Sequence, residues 1–279
     1  MLANAEAQDT DLYVFCDAPR RAENQAQVDA VRAYVDSING FRSITRLYRD
    51  RNLGLAKSII SGVQQVLESH DRVIVMEDDL FVSAHFLRYM NDGLNVYAQD
   101  AQVASIHGYC YPVKETLPET FFIRGADCWG WATWRRAWQV FEPNGRISLD
   151  ALKSKGLAKA FDMYGAYPYV KMLEDQIEGR NDSWAIRWHA ACFLKEMMTL
   201  YPGRSLVENT GIDGSGTHCD STDYFQQSTS HQPVSVQRIE LKESELGAAA
   251  FRKFLSGHTS FSARLKNALR RRLKWLIAA

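Results

Sequence analysis

The sequence has no Cys-x-x-Cys pair, no apolar run approaching bilayer-spanning length, and no excess of either charge. Its five cysteines (Cys16, Cys110, Cys128, Cys192 and Cys219) are scattered and odd in number. Such spacing offers neither a metal-ligand pair nor a disulfide framework, and predicts free thiols in a reducing compartment. Lys plus Arg equals Asp plus Glu at 33 each, so net charge selects no partner, and no nucleic-acid partner is expected. No charged-then-apolar leader opens the chain, and it carries no Gly-rich phosphate loop, internal repeat or long low-complexity tract. A cytoplasmic protein is expected, either free or peripheral on the cytoplasmic membrane face. At 279 residues the chain can bury a core without a disulfide or a structural metal.

What is present is an alternation of two periodicities. Asp11 to Cys16 is a short run of β-formers that delivers Asp17 into a loop before Pro19. Val28, Val31, Val35 and Ile38 recur at helical spacing between Arg21 and Ile38, and Asn39-Gly40 supplies a stop. Ser43 to Tyr48 reads as a second strand and Leu55 to Leu67 as a helix. Arg72-Val-Ile-Val-Met76 is β-branched and uninterrupted, the pattern of a strand buried on both faces. A helix over residues 83 to 97 and a strand over Val103 to Ile106 follow. Strands and helices alternating in this way predict an α/β fold with a mostly parallel central sheet flanked by helices. From about residue 126 the sequence becomes Trp-rich and Gly-punctuated. The division expected is an α/β region over 1–125, a second region over 126–222, and a linker with a basic tail over 223–279.

Ligands of open α/β sheets bind beyond the carboxyl ends of the strands. Glu77-Asp78-Asp79 stands there, directly after the Val-Ile-Val strand. Adjacent carboxylates repel, so the arrangement calls for a cation or for hydrogen-bond donors, and oxygen ligands of this kind suit Mn²⁺ or Mg²⁺. A solvated acidic turn is the plain alternative.

Val75-Met-Glu-Asp-Asp-Leu80 resembles the Glu-Asp-Asp form of the DxD motif in GT-A-fold glycosyltransferases. The similarity is to the inverting N-acetylglucosaminyltransferases that begin complex N-glycan branching, and to bacterial family 2-like enzymes. It implies a GT-A fold, with Asp79 as the metal ligand, Asp78 as a ribose contact and Glu77 as a donor-sugar contact. Asp17 resembles the family aspartate that accepts a hydrogen bond from uracil, with an Asx turn before Pro19 as the alternative. Arg49 to Lys57 resembles the family's Asn-x-Gly segment, which would bring Arg51, Asn52 and Lys57 to the donor; a plain helix start also explains it. Asp182 in Asn181-Asp-Ser-Trp184 matches an Asp-x-Trp position that supplies the base in that family, and it could equally cap the helix that follows. One carboxylate base is what an inverting displacement needs.

Gly130-Trp131, within Cys128-Trp-Gly-Trp-Ala-Thr-Trp134, resembles the segment beneath the donor and acceptor sugars, although large aromatics also make core. Trp184, Asp213 and His218 are assigned to the acceptor side and to a lid, the last two within the glycine-rich stretch Gly211 to His218. Residues 261–277 carry leucines at four-residue steps among basic residues, a pattern able to lie on an anionic membrane or to dock on the protein itself.

The resemblance covers about Asp11 to His218 and departs at the front. GT-A domains open with a strand and loop of the nucleotide pocket, and the Met1 to Glu6 segment resembles the end of a helix, so the expectation from the resemblance is a start after them. The function implied is transfer of a hexose or N-acetylhexosamine from a nucleotide-sugar, UDP-linked, to a glycan or lipid-linked acceptor such as a lipopolysaccharide precursor. Two other readings stay open: an inactive copy that only binds nucleotide-sugar or membrane, and a nucleotidyltransferase.

Overall fold

The computed structural model describes residues 1–211 and 223–259. A 3₁₀ turn at Ala5–Asp9 precedes β1 (Asp11–Cys16), α1 (Gln25–Ser37), β2 (Ser43–Tyr48), α2 (Leu55–Ser69), β3 (Arg72–Val75), β4 (Leu80–Val82), α3 (Phe86–Val96) and β5 (Val103–His107). β6 (Thr120–Arg124) and β7 (Trp131–Trp134) follow. Next come α4 (Arg135–Trp138), α5 (Gly145–Ser154), α6 (Ala158–Phe161), α7 (Tyr169–Ile177) and α8 (Trp184–Leu194). The described chain is completed by β8 (Met198–Pro202), β9 (Val207–Asn209) and α9 (Glu245–Thr259). The first half therefore follows the strand and helix periodicities of the sequence closely.

The fold is mixed α/β, and its main sheet is mixed rather than mostly parallel. Five strands lie in the order β3-β7-β5-β8-β6. Only β5 and β8 pair in parallel; β7 runs antiparallel to both β3 and β5, and β6 antiparallel to β8. Parallel neighbours need a long crossover, usually helical. Between β5, β6 and β7 no helix intervenes, and β7 enters the sheet reversed.

The strand expected to be buried on both faces is an edge strand. β3 pairs with β7 alone, and only its Val75 is fully buried. The central strand is β5, in which all five residues are buried. β1 and β2 form a separate parallel pair, each with one open edge. Tyr13 of β1 bonds His70, just ahead of β3, at 2.9 Å, so the two open strands share one side of the molecule without a ladder between them.

Segments on both sides of residue 126 share one sheet and one core. β7 and β8, both beyond it, sit inside the main sheet, and one core cluster runs from Ala56 to Val234. The helices of that stretch do have a core of their own, in which Leu149, Leu152, Phe161, Leu173, Ile186 and Phe193 meet. α9 closes the far side of the sheet through Phe251 against Phe121, with ring centroids 5.6 Å apart. Near the front, buried Asn4 donates to Ser83 O and accepts from Leu87 N, which ties the first residues to the start of α3. Among the described residues no helix is long and apolar enough to cross a membrane.

Candidate functional site

Glu77, Asp78 and Asp79 follow β3 after Met76, in a turn that leads into β4. That turn is held by a second short sheet: β4 pairs antiparallel with β9, and Thr210, next after β9, donates both its N–H and its hydroxyl to Asp79 O at 2.8 Å. Gly211 is bonded in turn to the buried Asn209 side chain at 2.8 Å. Its Cα passes so near the Asp79 carboxylate that a β-carbon there would collide with it, so this position takes glycine.

The triplet lies in an environment that resists its charge. Burial, then the neighbouring Asp79 and Asp78, push the Glu77 carboxyl up to about 7, against one opposing hydrogen bond from Trp184. Burial and the Asp78 charge raise Asp79 as well. Among the described residues no Lys or Arg forms an ion pair with any of the three acids. Repelling carboxylates without a protein cation fit an oxygen-ligated divalent ion. The described residues contain no group of three or more His, Cys, Asp and Glu side chains able to hold a metal by themselves. The fit is therefore to a metal held by one or two carboxylates together with ligand oxygens, the usual Mg²⁺ arrangement.

The other sequence-derived residues surround this turn in part. Asp17 follows β1, and its carboxylate is already engaged: Oδ2 accepts from Leu53 N at 2.8 Å and Gly54 N at 3.1 Å, and Oδ1 from Ser58 Oγ at 3.3 Å. Arg49 pairs with it at 3.4 Å. Asn52 reaches back to Ala18 O at 2.9 Å. Asp17 and Asn52 thus clasp the loop ahead of α2, and neither has its principal polar group free. Arg51 and Lys57 are exposed on the same loop and helix start, and neither forms an ion pair among the described residues.

Asp182 is brought to this loop from 126 positions away: its Oδ2 accepts from Ala56 N, in the first turn of α2, at 3.4 Å. It does not cap the helix that follows. Ser183 does, accepting from Ile186 N at 3.2 Å. Two positions on, Trp184 supplies the indole N–H that bonds Glu77. The Asp-Ser-Trp segment therefore spans from the α2 terminus to the acidic turn.

Burial sets three of the sequence-derived residues apart from any open surface. Trp131 is fully buried, stacked on Trp184 at 5.3 Å, and has no face to offer a sugar. Trp184 is also buried, so it positions Glu77 rather than lining an acceptor surface. Gly130, at φ +65°, packs its backbone against Gly108, which donates to Gly130 O at 2.7 Å, and an added β-carbon would stand 2.7 Å from Val207. Aromatic content draws these residues into the core because each indole removes so much apolar area from water. Asp213 and His218, and the tail 261–277, lie outside the described residues.

The residues that the sequence did not single out are Trp129 and Asp127. Trp129 is the half-exposed indole of the Trp-rich run, edge-on to Tyr109 at 4.8 Å. Asp127 accepts from Tyr111 and Tyr201 hydroxyls at 3.2 Å each. Burial and the charges of Asp127, Glu77 and Asp79 drive the intervening Cys128 thiol far up, so it stays protonated. No local motif could have flagged Asp127, because its partners come from β8 and from the loop after β5. Neither a protein-family model nor a curated protein matches the chain.

Proposed function

We propose that this protein is an inverting glycosyltransferase. It moves a hexose or N-acetylhexosamine from a nucleoside diphosphate sugar, UDP-linked, to a hydroxyl of a glycan or lipid-linked acceptor. The observation that carries the reading is the acidic turn after β3: three carboxylates, two of them half-buried with raised proton affinity, and no ion-paired Lys or Arg among the described residues. The Glu77-Asp78-Asp79 sequence and its resemblance to the DxD motif support the same chemistry.

In this reading Asp79 holds Mn²⁺ or Mg²⁺ together with the donor diphosphate. The bound ion supplies charge neutralisation of the diphosphate as it departs. Asp78, the exposed member of the triplet, contacts the ribose, and Glu77, fixed by Trp184, meets the sugar. Arg51 and Lys57 add positive charge beside the α2 terminus. Asp182 takes the proton of the acceptor hydroxyl as its oxygen bonds the anomeric carbon and the carbon–phosphate-oxygen bond breaks. A cytoplasmic, membrane-peripheral setting belongs to the same proposal, since a lipid-linked acceptor would reside there.

A second reading, donor binding without transfer, is favoured by two observations. The Asp17 carboxylate is consumed by Leu53, Gly54 and Ser58, and Asp182 is bonded to Ala56 N. Calorimetry with UDP, with and without Mn²⁺, followed by a transfer assay over a panel of UDP-sugars and acceptors, separates the two. Asp79→Ala is expected to abolish the metal dependence of UDP binding. Asp182→Ala should keep binding and lower transfer by about 10²-fold or more, the usual worth of a positioned base. UDP binding by wild type that Mn²⁺ does not enhance sinks the proposal, and metal-dependent binding with no transfer selects the second reading.

A further inference from the structure

Around Asp127 lies a cavity of about 90 Å³ that the transferase reading does not use. Its walls include Tyr111, Phe161, Tyr169, Tyr201 and Phe251, with two carboxylates, Asp127 and Glu243, of which Glu243 accepts from the Arg124 N–H at 3.0 Å. The rings fall in two groups: Tyr111 and Tyr201 both meet Phe251, at 4.7 and 5.3 Å, and Phe161 and Tyr169 both meet His189, at 5.0 and 4.8 Å. Asp127 Oδ2 is oriented by the Tyr111 and Tyr201 hydroxyls, and Oδ1 by Cys128 N at 2.8 Å.

The charge of Asp127 has no cationic partner among the described residues. The nearest candidate is His107, whose Nε2 stands 3.9 Å away. That imidazole is fully buried, both ring nitrogens lack a hydrogen-bond partner, and burial lowers its pKa to about 4, so it is neutral. Neither of the two arginines that line the cavity pairs with Asp127. Arg124 donates to Phe193 O at 3.0 and 3.2 Å and faces Glu196 at 3.7 Å, while Arg252 lies over the Tyr164 ring at 5.8 Å.

We infer that this cavity is a binding site for the ammonium group of a small organic cation, with Asp127 as counter-ion and the tyrosine and phenylalanine rings as its cage. Ring faces carry negative potential, and aromatic cages are how proteins hold methylated ammonium groups. The site requires neither metal nor nucleotide, so it stands or falls apart from the transferase reading.

The test is calorimetric titration of the full chain with choline and with its uncharged isostere 3,3-dimethylbutan-1-ol, on wild type, Asp127→Asn, Tyr201→Phe and Arg252→Ala, each checked for an intact thermal transition. Choline is expected to bind wild type at least tenfold tighter than the isostere. Asp127→Asn should erase that preference, Tyr201→Phe should weaken it, and Arg252→Ala should leave it. If Asp127→Asn does not fold, the charge preference in wild type and its reduction in Tyr201→Phe still decide. Equal binding of choline and isostere overturns the inference. So does failure of choline to saturate the protein, or binding of acetate in place of choline that disappears in Arg252→Ala.

Discussion

Glu77 offers the sharpest quantitative check, because its carboxyl titrates near neutrality in the folded chain. The ordinary value is 4.5 and the folded value about 7, raised first by burial and then by Asp79 and Asp78. Below pH 4.5 the group is protonated whether the chain is folded or not, and its burial carries no charge penalty. As pH rises from 4.5 towards 7 the unfolded chain ionises while the folded chain does not, so stability falls; above 7 both are ionised and the loss is complete. At about 1.4 kcal/mol per pH unit, the span from 4.5 to about 7 is worth about 3 kcal/mol. Glu77→Gln keeps the shape and an acceptor for the Trp184 N–H while removing the titration. Urea denaturation of wild type and Glu77→Gln between pH 4 and pH 8 reads the difference directly. The variant is expected to match wild type near pH 4 and to exceed it by about 3 kcal/mol at pH 8. A difference that stays flat across this range refutes the account of Glu77 as a desolvated, uncompensated carboxyl. Millimolar Mn²⁺ at pH 8 should then stabilise wild type and leave Asp79→Ala unmoved, as binding to the folded state alone requires.

Three further expectations follow from the geometry. Asp17→Ala strands the Leu53 N–H, while Gly54 N–H keeps its bond to Asn52 Oδ1, and should cost about 1–3 kcal/mol in denaturant unfolding; unchanged stability would mean the carboxylate is not the clasp of that loop. Trp131→Ala should cost about 3–5 kcal/mol as a core truncation, whereas Trp129→Ala, at a half-exposed position, should cost clearly less, and a reversed order contradicts the burial described. In hydrogen exchange, the outward amides of β1 and β3 should exchange far faster than those of β5, whose both edges are laddered; equal protection would place a strand partner on the open edges.

Local periodicity was enough for the early elements, because each depends on neighbours in sequence. The runs of β-formers at Asp11–Cys16 and Ser43–Tyr48 form strands with those bounds, and the apolar spacing after Leu55 forms α2. The acidic triplet and the Asp-Ser-Trp segment were legible for the same reason, each being contiguous. Burial was not legible. An uninterrupted Val-Ile-Val run has the composition of a central strand, yet β3 lies at an edge, while β5, with Ser105 and His107 in it, is the buried centre.

The sequence by itself determined which residues carry charge, where strands and helices begin, and that three acids end one strand. Only the tertiary structure decided what each of them touches. Asp17 spends its oxygens on the α2 loop and Ser183 takes the capping role open to Asp182. Trp131 and Trp184 leave the surface for the core, and Asp127 acquires its tyrosines from distant elements. The physical reason is one of range. Backbone propensity and side-chain period act over a few residues, whereas hydrogen-bond satisfaction, desolvation and aromatic packing depend on segments that meet only when the chain closes on itself.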